Sequence, residues 1–294
     1  MATKDPQQVL GLIAGQGSFP LDVARSARRA GRRVVCVALR DRTEPTIEAE
    51  VERMVWIHPG EVTAGIAAFK EAGVSEVVMA GKVAKADLIG DSGGLRLDAT
   101  ANELLGQLPD RRDDTILAKA AEVLEMLGIH VLPQWALVPE LLVGRGCLGA
   151  TQPTEAQLAD IAFGLPVARE LGRLDIGQTV VDKDRAVLAV EAIEGTDATI
   201  LRAGTLASGG CVVKVAKPQQ DPRFDVPAIG RRTVEAAVEA KIAVIAFEAG
   251  KTIVLEREDL VRFADAHGVV VLGFDASEFG ATEADAGPRD GEGA

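Results

Sequence analysis

The sequence predicts an α/β protein of two domains, an N-terminal Rossmann-like domain on a parallel sheet and a C-terminal mixed α/β domain. Three observations carry this reading. Short continuous apolar runs alternate with helical patterns from Val9 to Leu132, the order of a doubly wound sheet. A glycine turn, Gly15-Gln-Gly-Ser-Phe-Pro20, follows the first apolar run directly. From Gly177 onward the texture changes to short runs separated by Asp, Gly and Lys, read as a meander of strands. At 294 residues the chain also exceeds an ordinary single domain.

In order, Val9–Ala14 is a buried strand, Leu21–Ala30 a helix stopped at Gly31, and Arg33–Leu39 a second strand. That β-turn-α-β unit makes the sheet parallel. Met54–His58 is a third strand, Glu61–Ala72 a helix, and Val77–Ala80 a fourth strand running into Gly81-Lys82. The pattern is weak over Asp87–Asp110. Asp113–Leu127 is a helix and Ile129–Leu132 a strand. Leu142–Pro153, with Gly144, Gly146 and Gly149, reads as the exit from a first domain of residues 1–150. Thr154–Leu171 opens close to a capping box and is helical. The second domain, 151–280, holds strands at Thr179–Val181, Ala186–Val190, Thr199–Ala203 and Cys211–Ala216. It continues with a helix over Thr233–Ala240 capped by Thr233, a strand at Ala243–Phe247, a helix over Glu256–His267 and a strand at Val269–Leu272. The acid-rich tail, 281–294, lacks core-forming residues and is expected to be disordered.

Composition narrows the function. A formal charge of −12 argues against nucleic-acid binding, which rests on Lys and Arg against phosphates. The absence of Tyr and 3% aromatic content argue against base stacking. Cys36, Cys147 and Cys211 are too sparse for a disulfide framework or a thiolate zinc site and read as ordinary residues. The three His lack metal-ligand spacing. No apolar run spans a bilayer. A cytoplasmic protein is expected, with at most peripheral membrane contact.

Chemistry concentrates in Lys214–Glu235 (KVAKPQQDPRFDVPAIGRRTVE), which gathers Lys214, Lys217, Arg223, Arg231 and Arg232 with Asp221, Asp225 and Glu235. Three X-Pro steps forbid a continuous helix and stiffen a loop. Cations that hold phosphate oxygens beside carboxylates that hold a hard metal ion suit a phosphate-and-metal site; the alternative is a solvated loop of scattered ion pairs. Gly15-x-Gly17-x-Phe19-Pro20 has two of the three glycines of a dinucleotide fingerprint, and Asp41 follows the second strand where a ribose acceptor sits. Its alternative is a tight turn. Lys82 lies at the carboxyl edge of the sheet, where open α/β sheets take ligands. Asp113 and Asp114 read first as helix-start residues. Glu191, Glu194 and Asp197 form either a surface hairpin or a site wall.

These segments resemble the LpxI-type UDP-2,3-diacylglucosamine pyrophosphatases of lipid A biosynthesis. The resemblance runs through GLIAGQGSFP (11–20), AGKV (80–83), DDTIL (113–117), VPELLVGRGCLG (138–149), DIGQTVV (175–181), AVLAVEAIEGTDATI (186–200), residues 209–235 and AFEAG (246–250). Arg112 stands where the family has Gly, and residues 84–110 diverge. The resemblance implies Mg²⁺-dependent hydrolysis of UDP-2,3-diacylglucosamine to UMP and 2,3-diacylglucosamine 1-phosphate (lipid X), by water attack, in a homodimer. It places uridine diphosphate at Gly15, Gly17, Ser18, Phe19, Lys82 and Val83. It places the glucosamine phosphate at Lys214, Lys217, Gln219, Arg223 and Thr179. Asp225 is the first catalytic candidate, as metal ligand or water guide, and Asp221 the second. Without the resemblance, a nucleotide-dependent oxidoreductase or sugar-nucleotide enzyme, or a non-catalytic amphiphile sensor, stays open.

Overall fold

The computed structural model describes residues 8–82, 96–110 and 113–279. Contacts divide the chain into two units. The first is 1–139 together with 221–225, and the second is 140–220 with 226–294.

The first unit runs β1 (Val9–Ala14), α1 (Phe19–Arg29), β2 (Arg33–Leu39), β3 (Arg53–Ile57), α2 (Val62–Glu71), β4 (Glu76–Ala80), α3 (Ala99–Gly106), α4 (Asp113–Met126) and β5 (His130–Val131). Its sheet has the order β3-β2-β1-β4-β5, and every neighbouring pair is parallel. β1 is central, and its register sets Leu12 opposite both Cys36 and Val78. A strand covered on both faces explains why VLGLIA is unbroken by polar residues. On one face Phe69 of α2 and Ala121 and Leu124 of α4 close over Val9, Val35 and Val77. α1 buries Phe19, Val23, Ala24 and Ala27, with Asp22 in its first turn and Arg28 and Arg29 in its last, matching the helix dipole. The weak pattern before Asp110 conceals α3, whose start is capped where Asp98 accepts the Ala101 N–H at 2.8 Å.

The second unit contains β6 (Gly146–Cys147), α5 (Glu155–Arg173), β7 (Thr179–Lys183), β8 (Ala186–Val190), α6 (Thr196–Gly204) and β9 (Cys211–Lys214). It then adds β10 (Ala228–Ile229), α7 (Arg231–Glu239), β11 (Val244–Glu248), β12 (Ile253–Val254), α8 (Arg257–Ala266) and β13 (Val270–Phe274). Six strands lie in the order β6-β13-β11-β9-β7-β8. β13, β11 and β9 are parallel, whereas β6, β7 and β8 run against their neighbours. β10 and β12 form a small parallel pair. Ile161, Leu165 and Ala168 of α5 pack on one face of the main sheet. Ile200 of α6, Val234 and Ala237 of α7, and Leu260 of α8 pack on the other. α5 begins with the capping box between Thr154 and Gln157.

Two local expectations are corrected here. Thr199–Ala203 is not a strand but the body of α6; the residues it buries are Thr199, Ile200 and Ala203, and that spacing belongs to one helix face. The strand meander is therefore interrupted by a helix between β8 and β9. Thr233 does not cap α7. The helix starts two residues earlier with Gly230 at its cap, and the buried Thr233 hydroxyl donates to Asp197 at 3.0 Å.

Candidate active site

The glycine turn forms a corner at the carboxyl end of β1, built mainly from backbone. The Gly15 N–H donates to Ala80 O at 2.8 Å, and Gln16 and Lys82 exchange N–H···O bonds at 2.9 Å each. This clamps the end of β1 to the end of β4. The fit leaves no room for side chains: a Cβ on Gly15 would lie 2.8 Å from Lys82 O, and one on Gly81, at φ +89°, 2.8 Å from the Gly15 carbonyl carbon. Gly17 has φ +101° and faces open space. Ser18 occupies the cap position of α1 without a side-chain cap bond; the Leu21 N–H donates to Ser18 O at 3.0 Å. Phe19 is buried and Lys82 exposed. Pro20 fits because the first helical turn needs no N–H from it. Beyond β2, Asp41 (φ 60°) lies in a cleft of about 430 Å³ with Arg40, Arg42, Thr43, Glu44, Pro45 and Trp56.

The Asp221–Asp225 loop groups with this first unit. Phe224 packs against the core on the α2–α4 face. The Gln134 N–H donates to Pro222 O at 2.9 Å, while its side-chain amide donates to Met79 O at 2.7 Å. Gln134 thus ties the loop to the carboxyl end of β4, the same strand end that the Gly15 N–H reaches. Within the loop, Asp221 is saturated by Arg223. Its oxygens accept the Arg223 backbone N–H at 2.9 Å and guanidinium bonds at 2.7–3.1 Å. Burial pushes the Asp221 carboxyl up, but the Arg223 side-chain and backbone bonds outweigh it and hold the carboxyl below its usual value. The Asp225 N–H donates to Asp221 O at 2.9 Å. Asp221 is thereby a structural partner of Arg223.

The other predicted residues lie in the second unit, and they are built from side chains. Lys214, at the end of β9, is 4% exposed. Its ammonium donates to Thr196 Oγ1 at 2.8 Å and to Thr179 Oγ1 at 3.3 Å. The Thr196 hydroxyl donates to Glu191 at 2.8 Å. Burial pushes the Glu191 carboxyl up, yet the Lys214 charge and bonds from Thr179, Thr196 and the Gln178 amide leave it below its usual value. Glu191 is neither a surface hairpin residue nor a mere wall: it is the buried counter-charge of Lys214. Glu194 pairs instead with Arg202 at 2.7 Å. After β9, Lys217 bridges to Asp175 at 2.8 Å and the Gln219 amide donates to Gly172 O at 3.0 Å. Farther along, Arg231 pairs with Asp259 and lies over the Phe263 ring, centroid 3.8 Å away. Val83, Arg112, the side chains of Asp113 and Asp114, and the tail lie outside the described residues.

Asp160, Asp182 and Cys211 form a second, buried group whose donor atoms all lie within 4.8 Å of one another and could hold a metal ion. Cys211 is a core residue, as expected, and its sulfur is one of the three donors of this group. The available signal was Asp182 itself, an acid inside the apolar strand TVVDK.

The chain is an α/β protein of two units, one with an all-parallel sheet that ends in a glycine corner and one with a mixed sheet and a lysine buried at a strand end. The chain belongs to the LpxI family. It matches the LpxI N-terminal domain over residues 9–141 and the LpxI C-terminal domain over 144–272. It is 36% identical over 281 residues, covering 92% of this chain and 98% of the relative, to the UDP-2,3-diacylglucosamine pyrophosphatase LpxI of Caulobacter vibrioides. Among the described residues no helix is long and apolar enough to cross a membrane.

Proposed function

We propose that this protein hydrolyses the pyrophosphate bond of UDP-2,3-diacylglucosamine, releasing UMP and lipid X, as a cytoplasmic homodimer with at most peripheral contact with the inner membrane. Full-length kinship to the Caulobacter pyrophosphatase carries this reading. The tie through Gln134, which brings the Asp225 loop to the strand end that also anchors the glycine corner, supports it geometrically.

The uridine diphosphate binds at Gly15, Gly17, Ser18, Phe19 and Val83, with Lys82 as its cation. The glucosamine phosphate is held by Lys214, Thr179, Lys217, Gln219 and Arg223. Glu191, through Thr196, holds the Lys214 side chain in place. Asp225 orients the attacking water or holds Mg²⁺. Its oxygen donors suit that ion, which commonly binds through one or two carboxylates plus substrate phosphates. The buried group fits it poorly, because a thiol is a soft donor. Mg²⁺ would neutralise diphosphate charge and lower the pKa of a bound water. Electrostatic positioning supplies most of the rate.

The test is UMP and lipid X formation from UDP-2,3-diacylglucosamine, with EDTA and then Mg²⁺ added. No product under any condition would refute the activity, and full turnover in EDTA would refute the metal. Light scattering reports the dimer.

A further inference from the structure

Asp160 on α5, Asp182 on β7 and Cys211 on β9 have no part in that reaction. Asp182 and Cys211 are fully buried and Asp160 is 6% exposed. Asp160 is already engaged. It accepts the backbone N–H groups of Asp184 at 3.2 Å and Arg185 at 2.8 Å, closing a β7–β8 turn whose two residues hold φ of 49° and 59°. Each of its oxygens keeps a further lone pair. The Cys211 sulfur lies 3.8 Å from the Gln157 carbonyl oxygen. Asp182 differs from both: neither of its carboxylate oxygens has a hydrogen-bond partner, and neither meets solvent. Buried carboxyl groups are ordinarily paired or bound to a metal. The Asp182 carboxylate packs directly against the backbone of α5, since a Cβ on Gly164 would run into Asp182 Oδ2.

We propose that Asp160, Asp182 and Cys211 bind a zinc-class divalent transition-metal ion that pins α5 to the β7–β8 hairpin and β9, separate from any Mg²⁺ used in hydrolysis. The donor set selects the ion. Two carboxylate oxygens and a sulfur suit a tetrahedral borderline metal, whereas Mg²⁺ demands oxygen ligands and retains water. The Gln157 carbonyl offers the fourth donor. Charge agrees: burial and the neighbouring Asp160 push the Asp182 carboxyl up to about 8, and burial with both acids pushes the Cys211 thiol up. A dication relieves that crowding. On binding, the protons of Asp182 and of the Cys211 thiol leave to solvent as the metal–oxygen and metal–sulfur bonds form, and no electrons move.

The readouts do not depend on turnover. Purified full-length protein is dialysed against a weak chelator, and its metal content is measured by plasma mass spectrometry. It is then stripped and reloaded with Co²⁺. About one zinc-class ion per chain is expected, with a near-ultraviolet sulfur-to-cobalt charge-transfer band in the reloaded protein. Cys211→Ser should abolish the band, and the isosteric Asp182→Asn should lower the metal content at least tenfold. A metal-free wild type without the Co²⁺ band would overturn the proposal, leaving a protonated Asp182 beside a buried water. Undiminished metal in Asp182→Asn would overturn it too, by placing the ion elsewhere. Should Cys211→Ser fail to fold, the wild-type Co²⁺ spectrum and Asp182→Asn still decide the question.

Discussion

The glycine corner after β1 and the lysine at the end of β9 both lie at the carboxyl edges of parallel strands, and they are built by opposite means. The corner uses backbone: N–H groups, two crowded glycines and a helix start, with Lys82 as its exposed charge. The β9 end uses side chains: Lys214 at 4% exposure is locked to Thr179 and Thr196, with Glu191 behind them. A backbone site tolerates changes of charge but not of volume. A buried ionic site tolerates neither, because removing one charge strands the other.

The largest effect is expected on the loop tied to the corner. Asp225→Ala should lower kcat by roughly two or more powers of ten while the far-ultraviolet spectrum shows the fold retained. Turnover within a few-fold of wild type would remove Asp225 from the chemistry.

Next comes the buried lysine. Lys214→Met leaves Glu191 buried without its counter-charge and should destabilise the fold by about 3–5 kcal/mol in urea titrations. Lys214→Met combined with Glu191→Gln should recover much of that loss. Additive destabilisation in the double variant would show that the two residues do not act as a pair.

In the corner, Gly15→Ala forces a Cβ against the Lys82 carbonyl oxygen and should destabilise the fold by about 1–3 kcal/mol, weakening UMP binding by calorimetry. Lys82→Ala, at an exposed site, should weaken UMP binding and flatten its salt dependence while leaving the melting temperature in place. If the two variants behaved alike, the contrast between backbone volume and surface charge would fail.

The smallest effect is a pH dependence. Glu191 is held below its ordinary value in the folded chain, so the unfolded chain takes up that proton first as pH falls. Its stabilisation is present above the usual carboxylate range of about 4–4.5 and lost below it. Glu191→Gln should therefore give a shallower acid limb in stability-versus-pH curves. An unchanged slope would mean that Glu191 does not contribute to acid sensitivity.

Most elements of the first unit were legible because its central strands are continuous apolar runs, and glycines that end its helices are visible in the sequence. The strand assigned to Thr199–Ala203 failed because ATIL, read alone, fits a buried strand and a helix face equally. Only the packing of Ile200 and Ala203 against Val234 and Ala237 separates them. α3 was not legible because it lacks a strong apolar stripe: it buries Ala101, and its start is marked by the Asp98 cap.

By itself the sequence determined the parallel α/β order, the glycine corner and the charged loop, since periodicity and glycine placement are local properties of the chain. Tertiary structure alone decided that Asp221 pairs with Arg223, that Glu191 answers Lys214, and that Phe224 seats the loop in the first unit's core. It also decided that an acid and a thiol meet Asp160 beneath α5. Each of these is a pairing between residues whose partner, distance and access to water exist only once the strands and helices are packed.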